Sequence, residues 1–399
     1  MTKLSKRAQN LSTSPTLAAA AKAKAMIAQG LDVINLTVGE PDFHTPENIQ
    51  QAAFASIIDG KASYYAATAG IPELRTAIKY HYKELYKFPF TEENIVVTDG
   101  AKFALYALFQ VLLDQGEEVL IPSPYWVSYS EQVKLAEGNP ILIPTAESNH
   151  FKATVEELEN HRTDKTRALV LNSPSNPTGM IYSKEELLEI GNWAVEKDIL
   201  IVSDDIYGPL VYNGNEFTPI ASLSQEIFNQ TVIINGLSKA FSMTGWRIGF
   251  VIAQKDIVDA ITKIISQSTS NATSVSQYAA VEALTGTYAS VENMRKTFEE
   301  RLNEIYPKLV ALPGVELEKP QGAFYFFPNI KKTMELTGYT SSTKFLEDLL
   351  EEEKVALIGG EGFGAPDNIR LSYASDLDKL NQAIVRMERF INKKMDERE

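Results

Sequence analysis

The stretch Thr231-Val-Ile-Ile234, running into Asn235-Gly-Leu-Ser-Lys239-Ala-Phe-Ser-Met-Thr-Gly-Trp-Arg247-Ile-Gly249, decides how the rest of the chain is read. A short apolar run ends in a small-residue turn that carries one lysine, and an arginine follows eight positions later. Continuous apolar runs of this length suit strands covered on both faces of a largely parallel sheet. In open sheets of that kind ligands bind just beyond the carboxyl ends of the strands. A lysine amine placed there can condense with an aldehyde to a Schiff base, and a lowered pKa makes it usable at neutral pH. Ser238 and Arg247 together offer a hydroxyl hydrogen bond and a charge-assisted fork, a means of holding a phosphate. Taken singly, a turn lysine or arginine is an ordinary surface residue; the spacing of all three gives the motif its weight.

Working outward from this stretch, the same pattern repeats. Ile95–Thr98, Glu118–Pro122, Ile141–Ile143, Ala168–Leu171, Leu200–Ser203 and Phe250–Ile252 are further short apolar runs. Amphipathic stretches such as Phe103–Leu113 and Glu185–Lys197 separate them, and Ser183 with Glu186 forms a capping-box signature for the second. Alternation of this kind predicts an α/β fold with a seven-stranded, mostly parallel sheet flanked by helices. From about Val291 to Leu312 the pattern becomes one long helix, closed by Pro313-Gly314. Strand signals at Val315–Leu317, Ala323–Phe327, Val355–Ile358 and Asn368–Tyr373, with helical stretches at Thr343–Glu353 and Leu377–Met395, predict a smaller α+β unit. The expected division is an N-terminal segment (1–45) contributing to the small domain, a large domain (46–290), and the interdomain helix with the C-terminal small domain (291–399).

Composition narrows the chemistry. With 399 residues, 44% hydrophobic, the chain can bury large cores. Its net charge of −14, from 52 acidic against 38 basic residues, disfavours nucleic acid and anionic membranes as partners. There are no cysteines and only four scattered histidines, which removes thiolate chemistry and makes a metal site or histidine triad improbable. The alanine-rich stretch Ala18–Ala28 carries Lys22 and Lys24 and reads as a helix, not as a signal or membrane segment, so the cytoplasm is the expected location.

Other candidate residues fall where strands end or helices begin. Asp99-Gly100-Ala101-Lys102 follows one strand and opens a helix, whose free N–H groups suit a phosphate. Trp126 could stack on an aromatic ring, although a tryptophan is more often core. Asn172-Ser-Pro-Ser-Asn-Pro-Thr-Gly179 is a turn whose Asn176 offers an amide at the sheet edge. Ile201–Tyr207 places Asp204 at a strand end with Tyr207 beyond it. A carboxylate beside a pyridine nitrogen favours its protonated form, and a protonated ring is an electron sink. The plain alternative for that segment is a pair of strand-end acids exposed to water.

With these pieces in order, the chain resembles the pyridoxal-phosphate-dependent aminotransferases of fold type I from Leu36-Thr-Val-Gly-Glu-Pro-Asp-Phe43 to Asn368-Ile-Arg-Leu-Ser-Tyr-Ala374. The resemblance implies pyridoxal 5′-phosphate as cofactor, held in a Schiff base by Lys239, with Asp204 on the ring nitrogen. It implies Tyr207 and Asn176 on the ring oxygen and Trp126 stacked on the ring. Gly100, Ala101, Ser238 and Arg247 would take the phosphate, joined by Tyr65 from the other subunit of a homodimer. Arg370 would bind the substrate α-carboxylate, assisted by Asn176 and the Gly39 backbone; the role of Arg370 rests on the resemblance alone. Pro124 and Pro177 are candidate cis peptides.

Among these enzymes, Gly-Ala-Lys at the phosphate helix resembles the bacterial aspartate aminotransferases. That implies a distal-carboxylate role for Lys102, joined by Thr16 or Ser14, with Phe324 lining the pocket. The implied reaction is ping-pong transfer from an L-amino acid, aspartate first, to 2-oxoglutarate, with amino and 2-oxo acids as partners. An aromatic, broad-range or prephenate aminotransferase and a β-lyase on the same cofactor are the alternatives. A transcription regulator on this fold is disfavoured by the short segment before Ile34 and the acidic balance. Ala101, where some relatives have serine, and Asp205, where glutamate is usual, depart from the pattern without touching its essential groups.

Overall fold

The computed structural model describes residues 4–9, 11 and 15–398, leaving aside the side chains of residues 15–18. After the N-terminal helix Pro15–Ala28, the short strand β1 (Ile34–Asn35) leads into the main body. There β2 (Ile95–Thr98), β3 (Glu118–Ser123), β4 (Asn139–Pro144), β5 (Thr166–Asn172), β6 (Leu200–Asp204), β7 (Thr231–Gly236) and β8 (Gly249–Ile252) form one sheet in the order β2-β8-β7-β6-β5-β3-β4. All seven apolar runs are in it. β8 alone runs antiparallel to its neighbours. β2, β7 and β8 are buried along their whole length, which is why they show no polar alternation. β4 lies at the edge and is mostly accessible; Pro140 and Pro144 are tolerated there because an edge strand has N–H positions that need no partner.

Helices cover both faces. Ala101–Leu112 follows β2, and Lys184–Glu196 begins at the Ser183 cap, whose hydroxyl accepts from the Glu186 N–H while the Glu186 carboxylate accepts from the Ser183 N–H. No described helix is long and apolar enough to cross a membrane.

The C-terminal part departs further from expectation. The long helix spans Ala289–Val310. β9 (Tyr325–Phe326), β10 (Val355–Ala356), β11 (Ile358–Gly359) and β12 (Ile369–Ser372) make two small sheets, β1-β10 and β11-β12-β9. The expected single strand Val355–Ile358 is split at Leu357, because the chain leaves a parallel pairing with β1 to join β12. The expected strand Val315–Leu317 is not one; only Glu316 bridges, to Asn329. A helix at Lys331–Thr337 was not anticipated, although Gly338 at φ 80° is the left-handed residue that ends it.

A single apolar cluster joins these parts. Phe298, Leu302 and Ile305 of the long helix pack with Phe324, Phe326, Phe345 and Phe390, and the cluster also takes in Ile34, Ile206, Tyr207 and Leu210. Each aromatic ring so buried contributes about 2–3 kcal/mol. Arg301 of the same helix pairs with both carboxylate oxygens of Asp42 at 2.8 Å, tying the N-terminal segment to the bridge.

Candidate active site

Because β2, β5, β6 and β7 run parallel, their carboxyl ends open on one edge of the sheet, and a cavity of about 550 Å³ lies there. Lys239, Asp204, Tyr207, Asn176, Trp126, Ser238, Arg247, Ala101, Lys102, Gly39 and Arg370 all line it. The sequence separates these residues by more than three hundred positions; strand ends bring them together.

Lys239 follows β7 at the cavity wall and donates through Nζ to the Gly39 carbonyl. Burial is the main cause that lowers its pKa, to about 8; Glu40 opposes the shift, and Arg370 and Arg247 add to it. About a tenth to a fifth of the amine is therefore neutral near physiological pH, far more than for a solvated lysine.

Asp204 closes β6 and is 4% exposed. Its Oδ2 accepts from the Tyr129 hydroxyl at 2.6 Å and its Oδ1 from the Ile206 N–H at 3.3 Å. Burial pushes its pKa up to about 6, against those hydrogen bonds. Asp205 is 2% exposed and is satisfied away from the cavity, by Ser203 Oγ at 2.6 Å and the Tyr86 hydroxyl at 3.0 Å. Two water-exposed strand-end acids are thus ruled out.

Arg247 sits just after a tight turn at φ 56° and donates to the carbonyls of Thr244 (3.0 Å) and Asp99 (3.1 Å), so its charge is not cancelled by an acid there. Gly100 makes this approach possible: a Cβ on it would lie 2.4 Å from Arg247 Nη2. A Cβ on Gly249 would likewise lie 2.4 Å from the Ala101 amide nitrogen. Helix N–H groups, the Ser238 hydroxyl and an uncancelled guanidinium thus meet in a cradle with the donor set of a phosphate site.

Arg370, on β12, is 2% exposed. Nη1 donates to Asn176 Oδ1 at 3.0 Å and Nη2 to the Thr37 carbonyl at 3.1 Å, while Nε has no partner. The guanidinium stacks on Tyr325, 4.4 Å from its centroid, and on Phe363 at 5.0 Å. Burial lowers its pKa, Tyr325 and Tyr207 oppose the shift, and no carboxylate is among the groups that do.

Lys102 opens its helix at the exposed rim, with Nζ 4.9 Å from the Trp126 ring centroid; desolvation, then the Arg247 charge, lower its pKa. Tyr65 is 92% exposed and takes no part in this chain's cavity. Thr16 lies in the helix Pro15–Ala28 with its side chain outside the described residues, as is Ser14 altogether. Phe324 does not line the wall. It is fully buried against Tyr207 and Phe298, and its neighbour Tyr325, on the opposite face of the strand, takes the wall position. The peptides before Pro124 and Pro177 are cis, as is the one before Pro174.

Several contributors were missed. Tyr129 supports Asp204, and the Tyr325 hydroxyl bonds that of Tyr207 at 2.9 Å. Asn172 ties the Asn176 loop to β6, accepting from the Asn176 N–H at 2.8 Å and donating to the Asp204 carbonyl at 2.9 Å.

The model for aminotransferase class I and II matches residues 31–387, and the chain belongs to that family. It is 57% identical to an asparagine–oxo-acid transaminase of Streptococcus mutans, covering 98% of this chain and all of the relative. It is 51% identical to an aspartate aminotransferase of Bacillus subtilis, covering 98% and 99%. Among solved structures it resembles the aspartate aminotransferase of Thermus thermophilus with maleate, at 39% identity and a TM-score of 0.92, covering 98% of this chain and 100% of that one. The protein is an aminotransferase on the fold-type-I α/β scaffold.

Proposed function

We propose that this enzyme moves the amino group of L-aspartate to 2-oxoglutarate in two half-reactions, with pyridoxal 5′-phosphate seated at Lys239. One observation carries the proposal: a single cavity gathers a half-buried lysine of lowered pKa, a buried carboxylate and an arginine with an unmade hydrogen bond. The cradle that a Cβ on Gly100 would fill fits the cofactor's phosphate, which the Gly100–Ala101 backbone, Ser238 and Arg247 would hold. Asp204 would face the ring nitrogen, Tyr207 and Asn176 the ring oxygen, and Trp126 the ring face. When bound, the cofactor supplies an electron sink for negative charge developing at the substrate α-carbon.

The chain's own residues do the rest. Arg370 and Asn176 fix the α-carboxylate in a planar fork, so the Cα–H bond is held toward Lys239. Lys239 Nζ, neutral in part at pH 7, takes the Cα proton and holds it on the same amine for redelivery. Tyr129 and the Ile206 N–H stabilise the ionised form of Asp204 against its burial. Lys102, with Thr16, would receive the distal carboxylate.

The proposal extends to a cytoplasmic homodimer in which Tyr65 of the partner subunit completes the phosphate site; its exposure in the single chain supports this. It also keeps the division 1–45, 46–290 and 291–399, supported by the pairing of Ile34 with Val355. The relative named for asparagine makes that amino acid the competing donor. Single-turnover assays of the cofactor-loaded enzyme with aspartate, asparagine, glutamate and phenylalanine decide between them. Oxaloacetate from aspartate, with glutamate then formed from 2-oxoglutarate, is expected, and Lys239→Ala should abolish both. Faster turnover of asparagine or phenylalanine would move the specificity, and release of pyruvate, ammonia and sulfide from added L-cysteine, which carries a β-leaving group, would mark a lyase.

A further inference from the structure

A chain of net charge −14 repels the dicarboxylates proposed as its substrates, so attraction must be local. The cavity lining supplies it. Lys24, Lys102, Lys239, Arg247 and Arg370 face the cavity, against Glu40 and Asp204 as the carboxylates among the described lining residues. Both acids are engaged: Glu40 accepts from Thr244 Oγ1 at 2.9 Å and Asp204 from Tyr129 at 2.6 Å. Four of the cations have roles in the reaction proposed above. Lys24 has none.

Lys24 stands on the helix Pro15–Ala28 with Ala20 four residues before it and Ile27 three residues after, and all three line the cavity. That spacing puts them on one helical face, where Lys24 is the sole charge. Lys22, on another face, pairs with Glu351 at 3.2 Å. Lys24 has no hydrogen bond or ion pair among the described residues, and it is exposed. A lysine used only to solubilise the helix would not need to face a cavity already rich in cations, where like charges repel.

We propose that Lys24 is a specificity determinant: an unpaired cation on the solvent side of the cavity that draws in substrates by their net negative charge, and so favours aspartate over its near-isosteric amide, asparagine. This inference rests on the dicarboxylate specificity proposed above. Lys24 acts through water, so its influence follows the ionic strength, with a screening length of about 30 Å at 0.01 M and about 3 Å at 1 M.

The test compares kcat/KM of the holoenzyme and its Lys24→Gln and Lys24→Glu variants at about 0.01 M and about 0.5 M salt, with Lys22→Gln as the control on the same helix. At low salt Lys24→Glu should lower kcat/KM about 3-fold for aspartate and about 10-fold for 2-oxoglutarate, which carries one more negative charge, and leave asparagine unchanged. Lys24→Gln should give about half of each effect on a logarithmic scale, kcat should hold, and the differences should vanish at high salt. Equal losses for aspartate and asparagine, losses indifferent to salt, or no loss at all would overturn the role of Lys24 while leaving aspartate specificity intact. A wild-type enzyme that prefers asparagine or phenylalanine at both salts would instead overturn the specificity on which the inference rests.

Discussion

Arg301 and Arg370 are both buried, at 8% and 2% exposure, and each stacks its guanidinium on two aromatic rings. Arg301 is answered by Asp42 through two bonds of 2.8 Å. Arg370 is answered by an amide and a carbonyl, and keeps an unbonded Nε. Taking a cation out of water costs several kcal/mol, which a bidentate carboxylate offsets and neutral acceptors offset only in part. One arginine is therefore complete as folded and belongs to the architecture. The other is complete only when a carboxylate arrives, and the chain maintains that deficit at the cavity wall.

The strongest way to break this comparison is to remove the fork at the cavity. Arg370→Lys keeps the charge but loses the planar pair of donors, and should lower kcat/KM for aspartate about 1000-fold, about 4 kcal/mol of lost stabilisation. Thermal stability should change little, since a cation stays at the same wall beside the same neutral acceptors and no carboxylate pair is broken. Arg301→Met should do the reverse. With Asp42 left unpaired but partly solvated, stability should fall by about 2–3 kcal/mol, read by denaturant unfolding, with kcat per folded enzyme retained. Asp42→Asn combined with Arg301→Met should recover much of the loss. If Arg370→Lys melts early at full activity, the two arginines have been assigned backwards.

The contrast also marks what the sequence could reveal. Six strands of the large sheet were legible because burial on both faces writes itself as a nearly uninterrupted apolar run; β4, at the accessible edge, was legible only through its short apolar stretch Ile141–Ile143. The small sheets were legible in part: β9 and β12 fall inside expected runs, but β10 and β11 are two residues each, and the switch of partner at Leu357 leaves no periodic trace. Lys239, Asp204 and Asn176 could be found because each follows a readable strand. Arg370 on its own looked like a surface arginine, since its burial comes from residues far away in the chain, Thr37 and Asn176 among them. Phe324, expected at the pocket, sits just behind the wall residue Tyr325, with its ring centroid 5.8 Å from Lys239 Nζ, because neighbours along a strand alternate between wall and core. Tyr129 and Tyr325 support groups that were found, and hydroxyl partners of that kind carry no motif.

Titration sharpens the comparison from the lysine side. Burial lowers the Lys239 pKa to about 8, so its neutral fraction grows about tenfold per pH unit below that value and levels off above it. The rate at which cofactor-free enzyme captures pyridoxal phosphate should therefore rise about 50-fold between pH 6 and pH 8, followed by absorbance, and change little above pH 9. A rate still climbing tenfold per unit at pH 9 would mean an ordinary, solvated lysine.

The smallest expected effect concerns the acid that, like Arg370, is buried with incomplete support. Asp204 has no cation bonded to it; the Tyr129 hydroxyl at 2.6 Å is its best donor, and burial has already pushed its pKa up to about 6. Tyr129→Phe removes one charge-assisted hydrogen bond of about 1.5–2 kcal/mol without opening a cavity. Losing that donor favours the protonated carboxyl, so the pKa of Asp204 should rise further, into the range where the enzyme works. Cofactor affinity should then fall about threefold at pH 7 and hardly at all at pH 8.5, where the carboxylate is mostly ionised in both proteins. The pH dependence separates this from loss of packing, which would weaken binding equally at both values. If Tyr129→Phe binds the cofactor as tightly as the wild type at both, Asp204 is held by its surroundings without the tyrosine, and its deficit is smaller than that of Arg370.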